Sequence, residues 1–390
     1  MSNKTDFITR KFAYIYLKLS ECIVDFIVFI YALLNQRKKD DNPIKSIGAY
    51  WYYPPDLTGS NLRLGGWKEY FEKDGYSYTN LHINKLQEFV NNVEKGSWTK
   101  KYLFFAKNLW RRLPQILRAH KFDSIWIDRA LIPYYPRKSA FLEKQIRKVV
   151  KKMVIDVTDG GDYQDNTGLY EKIYSYADEL SVGYKFLTEY FGDDFKLTQV
   201  FWTIPTEKYV IKIDYSFNDI PVIGWMGSPG NFEHVRNIIP QLKELAEQHD
   251  FVFRYICRQN FDNEFEGIKT DHHYFGDDYY DIIGSFDIGI SPFLTETLRT
   301  KGKIAMKHQE FLLMGIPQIC SPVAISEFVE DNSDIIIAST DNWNELLELL
   351  ILNHDLREKL GTKTKSLFSK YYTFPSQYEK LKKVLVSIKN

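Results

Sequence analysis

The apolar positions of this chain change their period once, near residue 44. Between residues 12 and 34 they are so dense that the few charges, Lys18, Glu21 and Asp25, stand out, and these share one helical face. From Ile44 onward short apolar runs alternate with stretches of helical period. Residues 47–53, 76–82, 124–127, 153–157, 179–182 and 198–202 read as strands of a first series. Residues 222–226, 251–257, 286–290, 318–321 and 335–338 read as strands of a second, with a helix predicted over about 232–248. Strand and helix in alternation predict an α/β chain with parallel, doubly wound sheets. Weak periodicity over 207–220 marks a linker. The predicted organisation is therefore an amphipathic helix and basic linker (1–43), a first Rossmann-like domain (44–206), a linker (207–220), a second Rossmann-like domain (221–372) and a closing helix (373–390).

The most informative stretch runs from Gly302 to Pro317. Lys303, Lys307, Glu310 and Met314 follow at spacings that put them in one stripe of a predicted helix, which Gly315 and Pro317 end. A helix entering from a strand end exposes free N–H groups at its start. Those groups, including the backbone of Ile304 and Ala305, and two ammonium groups on the same stripe form a site for phosphate oxygens. The carboxylate of Glu310, two turns from the start, suits a sugar diol. The plainer reading is a solvated face with a Lys307/Glu310 pair.

The segment from Asp287-Ile288-Gly289-Ile290-Ser291-Pro292 through Lys303, Lys307, Glu310, Gly315 and Pro317 to Ser321-Pro322-Val323 resembles the donor-site signature of glycosyltransferase family 4. The resemblance implies the GT-B fold, two Rossmann-like domains facing a cleft, with the closing helix crossing back to the first. It also implies retaining, metal-independent transfer of a sugar from a nucleotide-diphosphate donor to a glycan or lipid-linked acceptor, with no further cofactor. The role that the resemblance implies is in cell-surface polysaccharide biosynthesis. In that family a first glutamate precedes the second by eight positions. Glu310 matches the second, the ribose ligand, but position 302 is glycine. Glu296 in the preceding loop is the candidate replacement.

Other residues take roles from position. Gly227-Ser228-Pro229-Gly230-Asn231 lies between the first strand and helix of the second domain, where small residues let N–H groups approach phosphate. The alternative for such a turn is tight packing. Arg258, ending the next strand, adds positive charge. In the first domain Gly59 sits in the loop leaving the first strand, and Arg129, Asp156 and Asp159 lie at or just after the ends of later strands, where an acceptor would be met. Capping is the plainer role for Asp159 and structural pairing for Arg129. No residue spacing reads as a metal site.

Charge is balanced, with 51 basic and 51 acidic residues, so no global field recruits nucleic acid. Cys22, Cys257 and Cys320 stand in apolar surroundings and read as buried thiols of a cytoplasmic protein. Residues 12–39 raise the membrane question. Spanning is opposed by Lys18, Glu21 and Asp25, each costing roughly 2.5–3.5 kcal/mol at mid-bilayer. Two readings remain, packing on the protein's own body or lying on the inner face of the cytoplasmic membrane with the Arg37-Lys38-Lys39 cluster against anionic lipid. A nucleotide-sugar epimerase or a non-catalytic nucleotide- or sugar-binding subunit of the same architecture are the alternatives to transfer.

Overall fold

The computed structural model describes residues 2–37, 42–53, 63–94, 96–137, 139–157, 168–217, 220–293, 298–302 and 305–387. The chain forms two compact units, the first of Met1–Trp202 with Gln377–Asn390 and the second of Thr203–Ser376.

Unit 1 holds six parallel strands, β1 (Ser46–Tyr50), β2 (Ser77–Leu81), β3 (Ser124–Asp128), β4 (Lys152–Val157), β5 (Glu179–Val182) and β6 (Leu197–Gln199), in the order β2-β1-β3-β4-β5-β6. The central β3 and β4 are buried at every position, as parallel strands covered on both faces must be. A 33-residue helix, α1 (Ser2–Leu34), packs along α2 (Trp98–Ile116) and belongs to this core through Leu17, Val24, Val28 and Ala32. Of the two readings offered for the segment, packing on the body is observed.

Two polar residues of α1, Ser20 and Glu21, turn inward, while Lys18 stays exposed. Glu21 is buried, accepting from the Tyr135 hydroxyl at 3.0 Å and from the guanidinium of Arg137, and Ser20 accepts from Trp110 Nε1 at 3.2 Å. Cys22 is exposed rather than buried, because the buried positions of α1 recur at helical period and skip it. Among the described residues no helix is long and apolar enough to cross a membrane.

Unit 2 repeats the architecture with β7 (Val222–Met226), β8 (Val252–Ile256), β9 (Lys269–His273), β10 (Ile288–Ser291), β11 (Gln318–Cys320) and β12 (Ile336–Ile337), ordered β12-β11-β10-β7-β8-β9. The predicted helix over 232–248 is two, Phe232–Arg236 and Ile239–Ala246, with Pro240 at the start of the second. The strand order reverses between β7 and β10, which is where a doubly wound sheet leaves a crevice at its carboxyl edge.

The helix of the signature stretch, α3, runs Met306–Met314 and starts later than the sequence suggested, since Ala305 is extended. A Schellman motif closes it: Gly315 N–H bonds Leu312 O, Ile316 N–H bonds Phe311 O, and Gly315 adopts the left-handed φ of 73° that glycine tolerates. Phe311 seats α3 on β10, approaching Gly289 so closely that a Cβ there would lie 2.7 Å from the ring. The closing helix, α4 (Phe374–Val386), passes into unit 1 at Gln377. The 207–217 part of the expected linker is instead folded onto unit 2. Lys212 N–H bonds Met314 O and its ammonium meets Asp287 at 3.0 Å, while Arg357 holds the Tyr215 carbonyl.

Candidate functional site

All six strands of unit 2 are parallel, so the loops after β7, β8, β10 and β11 open on one edge. At the reversal point the chain leaves β7 through Gly227-Ser228 into a short 3-10 turn, Pro229–Asn231. Gly227 is compressed against Trp225, where an added Cβ would stand 2.6 Å from the indole. Gly230 is different. A Cβ there would meet nothing of the protein within 4 Å, so this exposed glycine is not required by packing and leaves open space beside the turn. Arg258 is exposed just beyond β8.

α3 is buried on every side, which removes the solvated-face reading of its stripe. Lys307 is only 7% exposed and Glu310 2%. The Lys307 ammonium lies over two rings, 5.1 Å from the Trp225 centroid and 4.9 Å from that of Phe293, at the ends of the two strands flanking the reversal. Trp225 Nε1, also buried, has no hydrogen-bond partner among the described residues.

Glu310 sits one turn further on. Its Oε1 accepts from Tyr209 at 2.8 Å and from Tyr279 at 3.0 Å, and Oε2 accepts from Tyr279 at 3.1 Å. Burial pushes its carboxyl up to about 7, against the two hydroxyls, which favour the ionised form. Both phenols are themselves held protonated by burial beside the carboxylate, so they act as donors. Tyr279 also reaches Met226 Sδ and stacks on Phe275, tying the carboxylate to the end of β7 and to the loop after β9. Among the described residues this carboxyl group is met by phenols and by no cation, so a hydroxyl-bearing ligand can compete for it.

Between them, His308 is structural. Its Nδ1 lies 2.9 Å from Gln318 Oε1, Nε2 accepts from Ser326 N–H, and burial lowers its pKa to about 4. Of the sequence candidates, Gly227, Ser228, Gly230, Asn231, Arg258, Ala305, Lys307 and Glu310 all belong to unit 2, gathered around its carboxyl edge and α3. Lys303, Ile304, Glu296, Gly59 and Asp159 lie outside the described residues.

In unit 1, Arg129 stands at the carboxyl end of β3 with a left-handed φ of 60° and its guanidinium over Tyr53. Asp156 is fully buried. Its carboxylate receives Arg63 bidentately at 2.7 and 2.8 Å together with the Ser181 hydroxyl, while Arg63 also donates to the carbonyls of Val200 and Phe201. It is a packing element of unit 1, not a group presented to a ligand. Tyr209, Tyr279, Trp225 and Phe293 were not anticipated. Tyr209 in particular lies in the stretch whose weak periodicity suggested a linker.

Residues 235–383 match a family model described as glycosyl transferase-like. No curated protein sequence matches the chain. Among solved structures, a sucrose-phosphate synthase from Thermosynechococcus elongatus superposes with a TM-score of 0.66 at 11% identity, covering 87% of this chain and 98% of its own. The fold is GT-B. A glycosyltransferase from Rickettsia africae is also similar (TM-score 0.61, 12% identity, 88% and 98% covered). HepE of Anabaena, solved with UDP and glucose, is similar too (TM-score 0.60, 9% identity, 87% and 98% covered). Within this GT-B chain, the family match falls almost wholly on unit 2, the unit that holds the convergent site.

Proposed function

We propose that this GT-B chain is a retaining, metal-independent glycosyltransferase that moves a sugar from a nucleotide-diphosphate donor to a hydroxyl of a glycan or lipid-linked acceptor. Its setting is cell-surface polysaccharide synthesis on the cytoplasmic side. The observation that carries the reading is the pairing, on one buried helix, of a cation held at the reversal point with a carboxylate whose partners among the described residues are phenols. Lys307, the N–H groups at the start of α3 and the open turn at Gly230 suit the diphosphate. Glu310 suits the ribose diol. Leaving-group charge developing on the diphosphate would be met by these fixed cations and dipoles, which cost no reorganisation during reaction. By resemblance Lys303 joins them and Glu296 contacts the sugar. The GT-B structures with UDP and with glucose support a uridine diphosphate donor class.

A thermal-shift panel of UDP, GDP, dTDP, CMP and NAD tests the site, because a ligand selective for the native state raises its stability. A rise with one nucleoside diphosphate, followed by turnover of its sugar in EDTA only when acceptor is present, supports the proposal. Turnover without acceptor would make it an epimerase. Binding without any turnover would make it a binding subunit, the reading that glycine at position 302 favours. A response to NAD alone would sink all three.

A further inference from the structure

The outward face of α1 is the most unusual surface of unit 1. While Leu17, Val24, Val28 and Ala32 enter the core, twelve large apolar side chains of the same helix are exposed: they include Phe7, Phe12, Ile23, Phe26, Leu33 and Leu34, at 48–80%. Soluble monomers rarely leave so continuous an apolar strip uncovered. We infer that this face docks on an anionic lipid surface, with α1 lying in the plane of the interface.

Charge identifies the occupant. Among the described side chains of α1 the exposed charges are Arg10, Lys11 and Lys18, all basic and all in its first half. Of the acidic side chains described in α1, Glu21 is withdrawn into its pair with Arg137 and Asp25 is half-buried. Beyond Lys18 the exposed strip carries no charge. A second copy pairing its α1 against this one would set cations against cations or apolar surface. An anionic headgroup layer complements the basic half while the acyl boundary accepts the uncharged half. Trp98 lies at the basic end, with Arg10 at 5.6 Å and Lys101 at 5.3 Å from its ring, and the half-exposed Trp110 follows along α2, both suited to the headgroup level. The helix lies on the surface and does not cross it, because its other face is part of a protein core. The Arg37-Lys38-Lys39 cluster contributes less than the sequence suggested: Arg37 is tied to Asp123 at 2.5 Å, and Lys38 and Lys39 lie outside the described residues.

Flotation of the full chain with vesicles tests this, using phosphatidylcholine with one third phosphatidylglycerol against pure phosphatidylcholine. The protein should float with the anionic vesicles, less so in high salt and less with the neutral ones. Phe12→Glu/Phe26→Glu/Leu33→Glu should abolish flotation, and Lys11→Glu/Lys18→Glu should weaken it by on the order of tenfold. Both variants should keep the wild-type melting temperature and nucleotide response, since every altered side chain points outward. No flotation of the wild type, or flotation indifferent to these substitutions, overturns the inference. So does a wild-type dimer that fails to float and that the triple substitution converts to monomer, which would assign the face to self-association. Flotation without any nucleotide response would leave the docking intact and remove the donor site instead.

Discussion

Two buried carboxylates, one in each unit, stand on a strand and on a helix and do opposite things. Asp156 on β4 is locked by a bidentate guanidinium and a serine hydroxyl, so its charge is neutralised inside unit 1. Glu310 on α3 is met, among the described residues, by two phenols and no cation, and burial raises its carboxyl to about 7. What separates a fastening from a site is the chemistry of the partner, not depth. A guanidinium completes the carboxylate. A phenol leaves it able to change partner when a diol arrives.

The largest expected effect breaks the first of these. Arg63→Ala leaves Asp156 buried without its cation and should destabilise unit 1 by about 3–5 kcal/mol, read by denaturant unfolding. Restoration of stability in the Arg63→Ala/Asp156→Asn double variant would show that the stranded charge is the cause. An unfolding midpoint unmoved in Arg63→Ala would mean the pair is not the fastening described.

The second prediction uses pH. The native chain holds the Glu310 proton to about 7, above the ordinary 4.5, so the native state binds protons more tightly than the unfolded one between those values. Stability from this group is complete below 4.5 and is lost as pH rises towards 7. His308, held at about 4 against an ordinary 6.5, acts in reverse, and its contribution is lost as pH falls from 6.5 towards 4. The two slopes oppose each other between 4.5 and 6.5. Glu310→Gln should expose the histidine slope, a loss on acidification of about 3 kcal/mol across the window, and His308→Gln should expose the opposite one. Glu310→Gln should also lose most nucleotide affinity. Equal pH profiles in the two variants would contradict the assignment.

Smaller effects sharpen the site. Lys307→Ala should weaken nucleoside diphosphate binding by about 1.5–3 kcal/mol while leaving nucleoside binding nearly unchanged in calorimetry, because its partners are phosphate oxygens. Equal losses would point to the ring stack of Trp225 and Phe293 instead. Tyr209→Phe removes one donor to the carboxylate and should cost about 1 kcal/mol. It should also move the Glu310 transition further up in pH, detectable as a shifted pH dependence of nucleotide binding, and an unmoved profile would deny Tyr209 that role.

Much of this was legible in the sequence because parallel strands buried on both faces announce themselves as apolar runs. The strand that escaped, β9, reads Lys-Thr-Asp-His-His and lies at a sheet edge, where neighbours impose little apolar demand. The split of the helix after β7 was written in Pro240 and not taken into account. In the site, Lys307 and Glu310 were marked by spacing and by resemblance, but what makes them exceptional was not. The rings over Lys307 come from the ends of β7 and β10, and the phenols around Glu310 from the start of the helix Tyr279–Gly284 and from 207–217, segments distant in sequence that no local period connects. Asp156 illustrates the converse. Its place at a strand end resembled that of a ligand group, and only the arrival of Arg63 from far along the chain decided its role.

The double-faced packing of α1 bears on how this protein can be handled. Cutting the chain after the helix would uncover the apolar face of α2 that it packs along and so exchange one sticky surface for another. Solubility is better sought by polar substitution along the outward strip, or by a mild detergent that covers it, with the helix left in place.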